Sequence, residues 1–210
     1  MNAGSTEVVA EARERLLDRA RREHLVTLGY SVLDSPLGPL WAAVGERGVA
    51  TISYGQEPDE RELRRLVAVF GPAIVPDRKR TAQLARELDQ YFAGKRREFD
   101  IPADLTGLTP FYRSILKATA RVPYGKVITY ATAARRAGNE RASRAAGGAL
   151  SSNPIPIVVP CHRVVATDGS LGGYAGGLDA KRHLLALERG EAPEGGWPSR
   201  RGQARTDRRA

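Results

Sequence analysis

The chain holds one cysteine, Cys161, and a histidine, His162, follows it directly. They lie in Ser151-Ser152-Asn153-Pro154-Ile155-Pro156-Ile157-Val158-Val159-Pro160-Cys161-His162-Arg163-Val164-Val165. A thiol attacks only as its thiolate, so a reactive cysteine needs a neighbouring base or positive field to bring its pKa below the ordinary value of about 8.5. His162 and Arg163 are the adjacent candidates. Pro154 and Pro156 stiffen the approach and Pro160 fixes the backbone just ahead of the thiol, which suits a side chain that must be aimed. On spacing alone, a cysteine behind Ile157, Val158 and Val159 is equally a small buried hydrophobe. A lone cysteine excludes an internal disulfide and any multi-cysteine zinc site, and His24, His162 and His183 are too scattered to replace one, so neither metal nor cofactor is expected.

Two further stretches are unusual. Ala142, Ser143, Ala145, Ala146, Gly147, Gly148 and Ala149 leave the helix expected from Arg141 to Leu150 almost without side chains. Each glycine costs a helix about 1 kcal/mol against alanine, so the pair predicts a close contact, either with another helix or with a nucleic-acid backbone. Gly172-Gly173-Tyr174-Ala175-Gly176-Gly177 lacks the Gly-Lys-Ser/Thr ending of a phosphate loop.

The elements that must position these residues can be read from periodicity. Residues 5–25 read as an amphipathic helix, to which no function attaches. Apolar runs at 28–33, 39–44 and 48–54, separated by tight turns, read as an antiparallel meander. Two helices follow, one started near Asp59 with Leu63, Leu66, Val67 and Phe70 on its core face, the other carrying Leu84, Leu88, Tyr91 and Phe92. Residues 99–102 read as a last strand and 104–109 as a linker. Beyond it the chain is helical: Thr109-Pro110 starts one helix, Thr129 caps another that Gly138 ends, and Asp179 caps a last one presenting Leu184, Leu185 and Leu187. The pair around Gly138-Asn139 has the size of a helix-turn-helix. The fold class is α+β: a small N-terminal antiparallel sheet with helices, then a mostly helical, winged-helix-like part.

Asn-Pro-Ile-Pro ahead of Pro-Cys-His-Arg-Val, with the glycine-rich loop and a helix ending in Leu187-Glu188 behind it, resembles the O6-alkylguanine-DNA alkyltransferases, also called methylated-DNA-protein-cysteine methyltransferases. The resemblance spans residues 26–190. It implies a ribonuclease-H-like domain over 26–105 and a DNA-binding, catalytic domain over 106–190, between an N-terminal extension (1–25) and a disordered basic tail (191–210). It implies direct, irreversible transfer of a methyl or other alkyl group from O6 of guanine, and from O4 of thymine, to Cys161. Glu188 then orients His162, which acts on Cys161 through a water; Tyr130 supplies a proton or hydrogen bond to the guanine; Asn153 braces the turn. Arg144 intrudes where the flipped nucleotide leaves, with Ala145, Gly147 and Ser151 on the DNA, while Tyr174, Ala175 and Val164 line the base pocket. The implied partner is double-stranded DNA bearing O6-alkylguanine, bound by a monomer with no obligatory protein partner.

Departures from the family pattern are Pro110-Phe111-Tyr112 and Leu116 in the first helix of the second part, and Ala175 where some members have serine. Three other readings compete. A cysteine hydrolase would use the same Cys161, His162 and Glu188 but needs an oxyanion hole. A non-catalytic sensor that flips damaged bases would lack the cysteine. A regulator using only the helix pair leaves the Pro-Cys-His-Arg segment unexplained.

Composition agrees with a nucleic-acid partner. Across 210 residues, 33 Lys+Arg face 24 Asp+Glu, a net charge of +9 and a pI near 10.1, favouring a polyanion. No apolar stretch approaches the roughly 20 residues that span a bilayer, and no signal-peptide core opens the chain. A reducing cytoplasm is the expected home for a chain with one thiol.

Overall fold

The computed structural model describes residues 25–191 throughout and, ahead of them, residues 12, 15, 16, 18–20, 22 and 23. Where residues 12–22 are described they are helical; the rest of the expected N-terminal helix, and the tail after Glu191, lie outside the described residues.

Strands β1 (Leu28–Leu33), β2 (Leu40–Gly45) and β3 (Gly48–Tyr54) form the meander that the turn spacing predicts. The sheet is mixed rather than antiparallel, because a short β4 (Ile74–Pro76) adds to β1 in parallel, giving the order β3-β2-β1-β4. Residues 99–102, expected as the last strand, form none. Their backbone is held from the side, with the Asp100 and Ile101 N–H groups donating to Glu87 Oε2 at 2.9 and 3.3 Å. The segment meets the sheet only at its end, where the Val49 N–H donates to the Pro102 carbonyl and the Asp104 N–H to the Val49 carbonyl, both at 2.8 Å, in an isolated bridge of Ala103 to Val49.

Side-chain alternation along β2 separates two cores. Trp41 and Ala43 face α1 (Glu60–Phe70) with Leu28, Ala50 and Leu66. Leu40, Ala42 and Val44 face α2 (Arg78–Phe92), where Leu84, Leu88 and Tyr91 are buried, and continue without a break into the second half of the chain. Asp59 caps α1 by accepting from the Glu62 N–H. Of the apolar face expected on α1, Leu66 is buried and Phe70 packs against the same core, but Leu63 and Val67 stay exposed.

The second half packs α3 (Pro110–Ala120), α4 (Tyr130–Arg136), α5 (Ser143–Ser151) and α6 (Gly177–Arg189) around the segment 153–165. Thr109 caps α3 with Pro110 in its first turn, and Thr129 caps α4. Asp179 does not cap α6. The helix begins two residues earlier, and Asp179 stands in its first turn pairing with Arg182. A two-residue parallel pairing, β5 (Ile128–Thr129) with β6 (Val164–Val165), ties the start of α4 to the end of the cysteine segment. Of the departures, Leu116 is fully buried and Tyr112 half-buried, so both pack α3.

The halves are stitched together at the chemistry-bearing segment. The Ile52 N–H donates to the Pro154 carbonyl at 2.8 Å, and the Thr51 hydroxyl, its one proton shared with Glu62 Oε1 at 2.5 Å, lies 3.0 Å from the same carbonyl. The free edge of β3 is thus covered by the loop that carries Cys161.

Candidate active site

Between Asn153 and Cys161 the backbone folds into a tight loop organised by one side chain. Asn153 Oδ1 accepts from the Ile155 N–H at 3.0 Å, while its amide nitrogen donates to the Val159 carbonyl at 2.9 Å and to Cys161 Sγ at 3.1 Å. Ile157 sits at φ 75°, the one non-glycine residue with positive φ among those described. A β-branched residue there is strained, and the Asn153 bonds and full burial of Ile155 and Ile157 hold it in place. The strain lies four residues before the thiol.

Cys161 opens a short 3-10 turn and is 7% exposed. Burial pushes its thiol up to about 11, against the pull of the Asn153 amide, the Lys181 ammonium and the backbone N–H groups of Cys161 and His162. Arg163, one of the two adjacent candidates for this task, points elsewhere. It donates to both oxygens of Glu188 at 2.8–3.1 Å and to the Val122 carbonyl at 2.6 Å. The cation that acts on the thiol is Lys181, which is fully buried and donates Nζ to the Val164 carbonyl at 2.6 Å and to the Leu171 carbonyl.

Glu188 is the most heavily engaged acceptor. Besides Arg163, its Oε1 takes His162 Nε2 at 2.8 Å and the Tyr91 hydroxyl at 2.7 Å, and its Oε2 takes the Gly125 N–H at 3.1 Å. Burial alone would push this carboxyl up, but the bonds and charges of His162 and Arg163 overcome it and hold it at about 2. Glu188 is therefore an anion, and His162 Nε2 carries the proton that it accepts. The other imidazole nitrogen, Nδ1, is then the lone-pair nitrogen, and it is the one buried side-chain polar atom among the described residues without a partner. Burial lowers the His162 pKa despite Glu188, so the ring is a neutral base.

Of the expected site residues, Cys161, His162, Glu188 and Asn153 come together in one buried cluster. Tyr130, the first residue of α4, reaches the glycine-rich loop: a Cβ added at Gly172 would lie 2.5 Å from its hydroxyl. Burial raises this phenol, and the Cys161 charge adds to the rise. Tyr174 stands edge-on to the His162 ring at 6.3 Å, while Ala175 is exposed. Val164 is buried with its carbonyl already accepting from Lys181. Arg144, Ala145, Gly148 and Ser151 are exposed along one face of α5, with Gly147 half-buried beside them. A Cβ on Gly147 or Gly148 would meet nothing closer than 3.9 Å and 3.7 Å, so packing within the protein does not require either glycine. Sequence reasoning missed Lys181, Tyr91 and Tyr54, and it missed the pairing of Arg163 with Glu188.

Two family models match in succession, the 6-O-methylguanine DNA methyltransferase ribonuclease-like domain over residues 28–105 and the DNA-binding domain of the same name over residues 110–190. A methylated-DNA-protein-cysteine methyltransferase of Methanosarcina barkeri is 39% identical over 160 residues, 76% of this chain and 96% of the relative. The chain belongs to this methyltransferase family. A second member, from Mycobacterium tuberculosis, is 40% identical over 167 residues, 78% of this chain and 94% of its own. Crystal structures of the Mycobacterium tuberculosis O6-methylguanine methyltransferase superpose with a TM-score of 0.68 at 36% identity, covering 80% of this chain and 96% of that one. The same protein in complex with DNA gives 0.67 at 36% identity, over 79% and 95%. Against this methyltransferase family, the α+β expectation holds. Among the described residues no three metal-ligating side chains cluster, and no helix is long and apolar enough to cross a membrane.

Proposed function

We propose that this chain is a methylated-DNA-protein-cysteine S-methyltransferase that repairs DNA by moving an alkyl group from O6 of guanine, and from O4 of thymine, to Cys161. The observation that carries the reading is the buried set Asn153, Cys161, His162 and Glu188, in which an oriented neutral base adjoins a single thiol. Relatives bearing that enzymatic name add to it.

In the free protein the thiol keeps its proton, because its pKa is raised to about 11. The proton passes to His162 Nδ1 through a water, and the imidazolium is stabilised by the Glu188 carboxylate. The thiolate attacks the alkyl carbon in line, the sulfur–carbon bond forms as the carbon–O6 bond breaks, and the bonding pair stays on the guanine oxygen. Tyr130 donates a hydrogen bond or proton to the base as that charge develops. The product is a thioether that nothing in this site hydrolyses, so each molecule acts once.

A base stacked in a duplex offers no such approach, so the nucleotide must leave the stack, at a cost of a few kcal/mol that a damaged pair reduces. In this reading α4 and α5 act as a helix-turn-helix, with the exposed small-residue face of α5 against the DNA. Arg144 fills the space left by the base, and Ala145, Gly147 and Ser151 allow the backbone to come close. Tyr174, Ala175 and Val164 line the pocket. Residues 26–105 and 106–190 act as two domains of a monomer that needs no other protein.

The test is incubation with O6-methylguanine duplex DNA followed by intact-protein and peptide mass measurement. One methyl group on Cys161 and no further turnover under excess DNA is expected, and Cys161→Ser should gain none while still binding duplex. Multiple products per molecule, or methylation elsewhere, would overturn the reading.

A further inference from the structure

The pocket loop 171–176 is gripped by a residue to which the alkyl-transfer scheme gives no role. Tyr54 ends β3, and its hydroxyl lies 2.8 Å from that of Tyr174. The two rings meet edge to face, with centroids 6.0 Å apart at 69°. Tyr174 in turn stands edge-on to His162. Tyr54 has a second hold on the same loop: a Cβ on Gly176 would fall 2.6 Å from its Cζ and 2.8 Å from both Cε atoms. The Gly176 backbone therefore lies flat on the Tyr54 ring.

The loop needs such a hold. Gly172 and Gly173 are exposed, Gly172 at φ 62°, and the loop's own backbone contributes one turn bond, from the Gly177 N–H to the Tyr174 carbonyl at 3.0 Å. Fixing each such residue costs about 1–2 kcal/mol of conformational entropy. Lys181 anchors the start of the loop through the Leu171 carbonyl, and Tyr54 anchors its end. Tyr54 is itself immobilised, because Thr51 and Ile52 on the same strand are bonded to Pro154.

We propose that Tyr54 is a positioning residue for alkyl transfer: by holding the Tyr174 hydroxyl and the Gly176 backbone, it presets the wall against which the alkylated base binds. This rests on the proposed function. Its consequence is that the first half of the chain contributes to base affinity through Tyr54. A free base depends on this wall more than a duplex does, since it has no phosphate contacts to hold it.

Single-turnover transfer is measured with free O6-benzylguanine for the wild type, Tyr54→Phe, Tyr174→Phe and the double variant. Tyr54→Phe removes one hydroxyl and should raise the concentration for half-maximal rate by about fivefold, the worth of one net hydrogen bond, with the limiting rate within about twofold of wild type. Tyr174→Phe should raise it similarly, and the double variant no further than either single one. Unchanged half-saturation in Tyr54→Phe, a loss confined to the limiting rate, or multiplying effects in the double variant would each overturn the role of Tyr54. A wild type that gains no mass from O6-benzylguanine or from O6-methylguanine DNA would overturn the function instead.

Discussion

Replacing Glu188 by glutamine tests how the buried cluster is held. The Glu188 side chain is 0% exposed, and every neighbour within hydrogen-bonding distance is a donor: Tyr91 O–H, His162 Nε2–H, two Arg163 nitrogens and the Gly125 N–H. An amide supplies one acceptor oxygen and one donor group, so whichever way it turns, its NH2 faces a donor. Arg163, with a side chain 7% exposed, also loses its counter-charge. Removing one partner of a buried ion pair costs about 3–5 kcal/mol, chiefly because the other charge is stranded. With a urea dependence of about 3 kcal/mol per molar, the unfolding midpoint should fall by about 1 to 2 M. Adding Arg163→Met should restore part of the loss, because the stranded cation goes. The assay is equilibrium urea unfolding followed by tryptophan fluorescence. A loss below about 1 kcal/mol in Glu188→Gln, or a double variant less stable than the single one, would refute the picture of a carboxylate fixed by surrounding donors.

Acid should act through the same group: its carboxyl is held at about 2 against an ordinary 4.5, so its stabilising effect is complete above about pH 4.5 and is lost as pH falls toward 2. At 1.36 kcal/mol per unit the loss is about 3 kcal/mol, and pH-dependent thermal unfolding of Glu188→Gln should lack that component. Arg144→Ala should slow transfer from duplex DNA far more than transfer from free O6-benzylguanine, in parallel single-turnover assays; equal losses would make Arg144 structural. Gly48→Ala should destabilise by about 3 kcal/mol or more in urea unfolding, since its φ is 121° and the new Cβ would lie 2.0 Å from the Pro102 carbonyl oxygen.

What could be read along the chain was what neighbours in sequence decide. Asp59, Thr109 and Thr129 cap their helices as their types predict, because a cap is made within three residues. Strand β4 escaped notice because three residues ending in proline carry no alternation, and its partner β1 lies more than forty residues back. Residues 99–102 look like a strand by composition, yet Glu87, a residue on α2, takes their N–H groups. In the site, the Cys161-His162 pair was visible at once. Lys181 was not, since nothing local distinguishes a lysine bound for two backbone carbonyls from one bound for solvent. Tyr54 and Tyr91 have the spacing of ordinary core residues, and only the fold brings their hydroxyls to Tyr174 and Glu188.

The stitching of β3 to Pro154 has a consequence for traffic. With Thr51 and Ile52 bonded to the cysteine loop, and Tyr91 bonded to Glu188, the seam between the halves cannot part without baring buried polar groups at several points together. A route to the sulfur along that seam is closed by the same contacts that align the thiol. Gly172, Gly173 and Ala175 are exposed, on the loop that Tyr54 holds. Admission along the seam would thus have to undo the contacts that align the thiol.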